Sequence, residues 1–453
     1  MLRPQLLDSI ILDEAQRHLQ ALLRLDSRNP GAFETEVADY LVAVLRADGL
    51  ACTVVEPHPR RRNIFTALEV PTGEPGLLLS AHLDTVPFDE RAWSVPPLSG
   101  DLRDGCIYGR GSVDMKHHLV YCLMTILLLH RKGIPLCRTV RFAGFADEEA
   151  GCAMGSRFIV DHHPELLSAG YALNEVGGFP IYFKGRKYFL LGTEEKGFAW
   201  VRLVLRGTPG HGSIPTRDNV ILRISEIVGR LNAADRRVRL SNAACAFVDT
   251  LARGQNPLTA LALRLLQKPI LTDRLIALLL PSDRRATFTA MFHNTYNPTV
   301  VLTDESVNVV PSSLILCLDC RIVPGGSVAE VLELCRATFD DEAEVSLIQG
   351  SEPVQQSKDQ TLVEHVTAML EREAPDSTVA PYLTLGFTDS TNLNRLGIAP
   401  LGFSPLDLPP ELNFTALFHG HDERIPLAGF RWGMDFFYRV VHDFVAARPG
   451  AVS

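Results

Sequence analysis

Five residues that commonly bind metal ions stand at the ends of separate apolar segments of the sequence. They are His82, Asp114, Glu149, Glu175 and His419. Two imidazoles and three carboxylates can hold two Zn²⁺ ions if one carboxylate bridges them. Glu148 is left beside this set and is suited to accept and donate a proton. The pattern predicts a hydrolase with two metal ions.

The sequence around these residues suggests a role for each. Asp114 follows the glycines of GRGSVD, which allow a tight turn, so one carboxylate oxygen can point toward each metal. Neighbouring side chains diverge, so we assign Glu149 to a metal and Glu148 to the proton. Asp84 is expected to orient the imidazole of His82 through the ring nitrogen that does not bind metal. Two Zn²⁺, three carboxylates and one hydroxide then make a neutral site.

Composition excludes several other functions. The chain has 453 residues, of which 46% are hydrophobic, enough for two or three domains. Its net charge of -9 provides no basic field for nucleic acid or an anionic membrane, so neither partner is expected. The first thirty residues have the spacing of an amphipathic helix, and no apolar run reaches the length of a membrane span. We therefore expect a cytoplasmic location.

The nine cysteines are scattered through apolar segments and predict buried free thiols. Cys317 and Cys320 form a CxxC pattern, but SLILCLDCRIV resembles a strand. Residues three apart on a strand point to opposite faces, so we expect neither a metal site nor a redox pair there.

Strand patterns alternate with helix patterns over the first 175 residues, with helices expected at 8–25 and 31–48, a strand at 76–82 and a long helix from near Met115. This alternation predicts an α/β fold with a mostly parallel sheet covered by helices on both faces. Such sheets carry their sites at the carboxyl ends of strands, where His82, Glu148, Glu149 and Glu175 fall.

From about Gly197 the pattern becomes that of an α+β domain. After residue 350 the helical spacing of apolar residues seen in the first part of the chain returns. The sequence therefore predicts a second domain inserted into the first. The expected segments are 1–196 and 351–453 for the catalytic domain and 197–350 for the insertion.

The motifs SAHLDTVP, GRGSVDMK, DEEAG, NEVGG and a terminal HxxDE occur in the order of a known family. The chain resembles the dinuclear zinc metallopeptidases that include aminoacylase, carboxypeptidase S, carboxypeptidase G, dipeptidases and succinyl-diaminopimelate desuccinylase. GFSPLDLPPEL is most similar to the aminoacylase and carboxypeptidase S branch. The family's register favours His419 over His421 as a ligand, and Cys152 stands where many members have glycine.

The resemblance implies a role for each site residue. Glu148 would be the general base and acid. Each zinc would have three protein ligands, with one residue shared: His82, Asp114 and Glu175 for one ion, and Asp114, Glu149 and His419 for the other.

The inserted segment resembles the family's lid, or dimerisation, domain. Through GTPGHGS the resemblance implies that His211 stabilises the oxyanion, a role that needs a donor aimed at developing negative charge. It places Asn308 and Arg321 on the substrate, and a guanidinium suits a free carboxylate. Thr388 and Asp389 of LGFTDST would line the substrate end.

The prediction is a zinc-dependent hydrolase that cleaves an amide or peptide bond beside a free carboxylate. Its type would be N-acyl-amino-acid amidohydrolase or carboxypeptidase, acting on an N-acyl amino acid or a short peptide. A metal-bridging water would attack, Glu148 would carry the proton, and Co²⁺ or Mn²⁺ would be possible substitutes for zinc.

Two alternatives stay open: a dipeptidase, and a catalytically silent metal-binding protein on the same scaffold, which a missing ligand would favour. A homodimer through the lid is also left open, because a helical stretch near 257–281 lengthens that domain.

Overall fold

The computed structural model describes residues 6–71, 73–303 and 306–447. The other positions, which fall within the predicted segments, lie outside the described residues. In this part of the chain, every helix is too short or too polar to cross a membrane.

The described residues divide into two compact units. Unit 1 comprises Met1–Thr193, Ser357–Ala380 and Thr388–Ser453, and unit 2 comprises Glu194–Gln356 and Pro381–Phe387. Unit 1 is thus formed by three separate segments of the chain and unit 2 by two. The predicted boundaries of the catalytic domain and its insertion stay a prediction. Pro381–Phe387, which the sequence assigned to the catalytic segment, groups with unit 2.

Helices and strands alternate along most of the described chain. The α-helices are α1 (Ser9–Leu23), α2 (Thr35–Ala47), α3 (Lys116–Arg131), α4 (Ser156–His162), α5 (Ile224–Ala234), α6 (Asn242–Arg253), α7 (Pro257–Leu265), α8 (Pro269–Leu279), α9 (Ser282–Phe292), α10 (Val328–Phe339), α11 (Thr361–Glu373), α12 (Ser390–Asn394) and α13 (Leu427–Val445). The strands are β1 (Thr53–His58), β2 (Arg61–Leu68), β3 (Leu77–His82), β4 (Leu102–Arg103), β5 (Cys106–Tyr108), β6 (Val140–Phe145), β7 (Tyr171–Asn174), β8 (Pro180–Phe183), β9 (Arg186–Glu195), β10 (Gly197–Arg206), β11 (Gly210–His211), β12 (Thr295–Leu302), β13 (Val309–Val310), β14 (Ser313–Ile322), β15 (Ala343–Ser351), β16 (Ser377–Thr384), β17 (Ala399–Gly402) and β18 (Arg424–Pro426).

The large sheet has the strand order β1-β2-β6-β3-β7-β17-β9-β16, and β8 pairs with β9. Its four central strands, β6, β3, β7 and β17, run parallel. Antiparallel pairs lie on either side of them, β1–β2 and β2–β6 on one side and β17–β9 on the other. The predicted α/β class with a mostly parallel central sheet is confirmed.

Helices cover both faces of this sheet. Every residue of β3 is buried, as expected of a strand with both faces covered. On one face α3 is buried from Lys116 to Leu129 and packs against α1 and α13, so it is enclosed on all sides. On the other face Leu78 and Phe145 join a core with residues of α4 and α12.

Unit 2 is built on a four-stranded antiparallel sheet with the order β12-β14-β10-β15. Along β14 buried and half-buried residues alternate, and the buried face packs against α5 and α10. Cys320 lies on the buried face and Cys317 on the other, and both are free thiols. The two side chains therefore point to opposite faces of β14, as the strand pattern predicted.

Candidate dinuclear metal site

The candidate site lies at the carboxyl ends of the parallel strands of unit 1. His82 is the last residue of β3, and Glu175 follows β7 directly. Glu148 and Glu149 lie in the loop after β6. Neighbouring parallel strands bring their carboxyl ends to one edge, so residues far apart in sequence meet there.

The loop from Ala146 to Gly155 presents the adjacent glutamates. It folds back tightly, since a Cβ at Gly155 would lie 1.7 Å from the carbonyl oxygen of Ala146. The N–H of Cys152 donates to the carbonyl oxygen of Asp147 at 2.6 Å, which closes the turn. Cys152 has φ of +67°, a conformation that glycine adopts without strain. The side chain of Cys152 is buried, and its packing offsets the strain of the positive φ.

Asp114 lies in the turn that leads into α3, and a buried carboxylate fixes this turn. Glu423 accepts hydrogen bonds from the N–H groups of Gly111 at 3.1 Å and Val113 at 2.6 Å. It also accepts from the N–H of Asp114 at 3.1 Å and from Nη1 of Arg110 at 2.6 Å. Four donors on one carboxylate hold the backbone from which Asp114 projects.

Each carboxylate oxygen of Asp114 faces a different histidine. Oδ1 is 3.0 Å from Nε2 of His82, and Oδ2 is 3.2 Å from Nε2 of His419. Oε2 of Glu149 also lies 3.2 Å from Nε2 of His419, and Oε1 of Glu175 lies 3.7 Å from Nε2 of His82. Two triads result, His82–Asp114–Glu175 and Asp114–Glu149–His419, each with its candidate ligand atoms within 4.8 Å of one another.

The charge of this cluster fits metal ions. Burial, together with the charge of Glu175, raises the pKa of Glu148 well above its usual range. Burial and the charge of Asp114 do the same to the pKa of Glu175 and raise that of Glu149 to about 7. Oε1 of Glu149 is buried and has no hydrogen-bond partner among the described residues. Crowded, incompletely paired carboxylates with imidazoles are a donor set suited to two zinc ions.

Asp84 acts on the glutamate pair more directly than on the imidazole. Nδ1 of His82 lies 3.0 Å from the backbone carbonyl oxygen of Asp84 and 3.5 Å from its carboxylate. The carboxylate also accepts the N–H of Glu148 at 3.1 Å and that of Glu149 at 3.2 Å. Asp84 thus faces the imidazole with both its carbonyl oxygen and its carboxylate, and the carboxylate also holds the loop that carries Glu148. The predicted orientation of the imidazole by Asp84 stays a prediction.

A network of polar side chains holds the carboxylate of Asp84 in place. Nδ2 of Asn29 donates to Oδ2 of Asp84 at 2.8 Å and to Oδ1 of Asp147 at 3.0 Å. Nη2 of Arg61 donates to Oδ1 of Asn29 at 2.7 Å, and its Nη1 lies 2.6 Å from Oε1 of Glu34. Burial and the charge of Asp84 raise the pKa of Glu34 to about 7. The network links the segment before α2, strand β2 and the loop from Ala146 to Gly155.

Thr388 and Asp389 are buried next to the carboxylate cluster. Nδ2 of Asn174 donates to Oγ1 of Thr388 at 3.0 Å. Oδ1 of Asp389 is buried without a hydrogen-bond partner in the described part of the chain. Its charge adds to the rise in the pKa of Glu148 and Glu175. The predicted contact of both residues with substrate stays a prediction.

His211, predicted to stabilise the oxyanion, lies exposed in unit 2 on strand β11, which pairs with β13. The backbone N–H of Ser213 donates to its Nδ1 at 3.2 Å. A backbone N–H can only donate, so a neutral ring carries its proton on Nε2. Asn308 lies beside it, since its carbonyl oxygen accepts the N–H of Gly212 at 2.8 Å. The structure thus brings these two predicted residues together within unit 2.

Arg321 is already paired within unit 2. Its Nε lies 2.8 Å from Oδ1 of Asp319, and Nη2 donates to Oδ2 at 2.9 Å. The guanidinium also lies over the ring of Phe387, 5.2 Å from its centroid. Nη1 is buried with no hydrogen-bond partner among the described residues. The predicted contact of Arg321 with a substrate carboxylate stays a prediction.

Sequence reasoning missed the residues that support the site. Glu423 had a signal, because it ends the HxxDE motif that begins at His419. Asn29 and Arg61 had none, because nothing in their local sequence distinguishes them from exposed polar residues. His421, the alternative to His419, is exposed and belongs to neither triad.

Comparison with known proteins gives consistent matches. The profile of peptidase family M20/M25/M40 matches residues 78–443. Human N-fatty-acyl-amino acid synthase/hydrolase PM20D1 is 29% identical over 380 residues, which cover 81% of this chain and 73% of the human protein. Rat aminoacylase-1A is 25% identical over 445 residues, covering 94% of this chain and 95% of the rat protein.

A solved structure shares the fold. The M20 family metallo-carboxypeptidase Sso-CP2 from Sulfolobus solfataricus superposes with a TM-score of 0.74 at 19% identity. The superposition covers 95% of this chain and 98% of that chain. At this identity the likeness concerns the fold alone.

Proposed function

Because the chain belongs to peptidase family M20/M25/M40, we propose that the two triads bind zinc and that the enzyme hydrolyses N-acyl amino acids. The predicted family is confirmed, and so is the class: a hydrolase that acts on amide or peptide bonds, of the aminoacylase, carboxypeptidase or dipeptidase type. The family is metal-dependent. The observation that carries the finer proposal is that two triads share Asp114, with Glu148 beside them.

The proposed ligand sets are the two triads, each with one imidazole and two carboxylates. Bound zinc ions would polarise the substrate carbonyl and lower the pKa of water, so that a nucleophile exists near neutral pH. The resemblance to the aminoacylase branch, the donor set and the buried, unpartnered Oε1 of Glu149 support this assignment. A homodimer and a cytoplasmic location stay predictions.

Glu148 is proposed to move the proton. Its Oε2 lies 3.9 Å from Nε2 of His82, and it belongs to neither triad. The backbone N–H of Glu148 donates to the carboxylate of Asp84, and this hydrogen bond fixes the backbone of Glu148 beside the proposed ligands. Glu148 would accept a proton as water attacks the carbonyl carbon and give it to the nitrogen of the leaving amine.

N-acyl amino acids are favoured as substrates by the sequence relatives. The human relative PM20D1 is named an N-fatty-acyl-amino acid synthase/hydrolase, and the rat relative is named an aminoacylase. Each match covers most of this chain. Nη1 of Arg321 has no hydrogen-bond partner among the described residues, and a guanidinium suits the α-carboxylate that such substrates carry. A dipeptide has the same carboxylate but adds an α-ammonium group, so the acyl side decides between the two classes.

A substrate panel tests this proposal. We expect kcat/KM for N-acetyl and N-lauroyl amino acids to exceed that for dipeptides of the same C-terminal residue by roughly tenfold or more, about 1.4 kcal/mol. The measurement is release of the free amino acid by the zinc-loaded enzyme. N-acyl amino acid amides, which lack the carboxylate, serve as the matched control and should be poor substrates. A preference for dipeptides would replace this proposal with dipeptidase activity.

His211→Ala is expected to lower kcat by roughly 10²-fold or more, the effect of removing one oxyanion donor. Metal content should not change, because no ligand is touched. Ser213→Ala is the matched control, since it keeps the backbone N–H that places the ring proton on Nε2. Stopped-assay kinetics and metal analysis of both variants provide the measurement. Normal turnover in His211→Ala would remove this residue from the mechanism.

A further inference from the structure

One segment of unit 2 has a charge opposite to that of the whole chain. Between Arg236 and Phe292 the sequence has nine Arg and Lys residues, three Asp and no Glu, a net charge of +6. The whole chain carries -9, so the remainder carries -15. The positive charge is therefore confined to a stretch that includes helices α6 to α9.

Most cations on these helices form no ion pair with a described acidic side chain. Arg253, Arg264, Lys268, Arg274 and Arg284 are all exposed. Among the described residues none of the five lies in an ion pair, whereas Arg residues elsewhere in the chain commonly do. These side chains are therefore open to an external anion.

Helices α7 and α8 also expose large aliphatic side chains. Leu258 is 81% exposed, Ile270 86% and Leu278 78%. On α8, Ile270, Arg274 and Leu278 follow a spacing of four, so an aliphatic–cation–aliphatic stripe runs along one face. The opposite side of α8 is packed, with Thr272 and Ile276 buried. Such exposed side chains are costly in water unless another surface covers them.

We propose that α7 and α8 form a docking surface for a membrane that contains anionic phospholipid. The aliphatic side chains would enter the boundary between headgroups and acyl chains, and the unpaired cations would bind the phosphate and carboxylate groups of the lipids. This differs from the expectation drawn from the net charge of -9, because electrostatic attraction depends on the local surface and is screened over about 8–10 Å.

The combination favours lipid over other occupants. Nucleic acid would satisfy the cations, but its phosphate backbone offers no apolar layer for Leu258, Ile270 and Leu278. A second copy that presented the same surface would bring like charges together. A bilayer interface offers both anionic groups and an adjacent apolar layer.

Co-sedimentation with vesicles tests the proposal on the full-length, zinc-loaded protein. We expect binding to vesicles of equal parts phosphatidylcholine and phosphatidylserine to be roughly tenfold tighter, or more, than to pure phosphatidylcholine, and to weaken with added salt. Ile270→Ser with Leu278→Ser should reduce it at least about tenfold, and Arg264→Gln with Arg274→Gln should abolish the preference for phosphatidylserine. Ile10→Ser on α1, which is 74% exposed, is the matched control and should bind normally.

Hydrolysis of a soluble substrate and the melting temperature should stay at wild-type values in all of these variants. Wild-type protein that does not sediment with the anionic vesicles would overturn the proposal. So would vesicle binding that the two double variants leave unchanged. A self-association that Ile270→Ser with Leu278→Ser abolishes, without vesicle binding, would assign the surface to a second copy. Binding of a DNA duplex in place of vesicles would assign it to nucleic acid.

Discussion

Asp114→Ala should lose both metal ions and activity together. The wild-type protein is expected to bind about two Zn²⁺ per chain, and Asp114 is the one residue that both triads share. Its removal leaves each triad with one imidazole and one carboxylate, too few ligands for a protein zinc site. Since a bound metal supplies several kcal/mol of transition-state stabilisation, kcat/KM should fall by at least about 10³-fold. Elemental analysis after gel filtration, with kinetics on the same sample, measures both effects.

The control for this experiment is Asp101→Ala, which removes an exposed carboxylate in the same part of the chain. It should keep two metal ions and normal turnover. Melting curves of wild type and Asp114→Ala recorded with a chelator would show whether the variant is folded. Full metal occupancy with normal turnover in Asp114→Ala would refute the shared-ligand assignment.

Glu148→Gln should separate chemistry from metal binding. The amide keeps the shape of the side chain but cannot accept a proton, and general acid–base assistance is worth roughly 10²–10⁴-fold. We therefore expect kcat to fall by about that factor while the protein still binds about two zinc ions. The backbone N–H that Asp84 holds is not altered by the substitution.

Glu149→Gln is the matched comparison, because it makes the same chemical change at the neighbouring residue. It should lose metal, since Oε2 of Glu149 lies 3.2 Å from Nε2 of His419 in the second triad. The reverse outcome, metal loss in Glu148→Gln and retention in Glu149→Gln, would mean that the two glutamates exchange roles.

The helices and strands could be predicted where the spacing of apolar residues is regular and its interruptions are clear. The β3 prediction of 76–82 compares with Leu77–His82, and the long helix expected near Met115 begins at Lys116. The predicted ends of helices were less accurate where residues that favour turns stand next to residues that favour helices. The second helix, expected from residue 31, begins at Thr35. The residues before it are held in another conformation, because Asn29 and its neighbours form hydrogen bonds with the segment after β3 and with the loop from Ala146 to Gly155.

The candidate ligand residues could be identified from the sequence because each stands in a short motif. Their supports could not, because hydrogen-bond partners depend on contacts between distant segments. Asn29 and Asp84 are 55 positions apart, and Glu423 and Asp114 are 309 apart. The additional contact of the Asp84 carboxylate with the glutamate loop could not be predicted for the same reason, since its distance to the N–H of Glu148 is a property of the folded loop.

The shared carboxylate of Asp114 also has a consequence for synthesis of the chain. The first triad is complete by Glu175, whereas the second needs His419, and the buried Glu423 that holds the Asp114 turn comes later still. A growing chain therefore cannot assemble the full centre until His419 and Glu423 have been translated. The site is a contact of very high sequence separation, a kind that forms late in folding. A chain that lacked the segment with His419 and Glu423 would keep the residues of the first triad but could not complete the second.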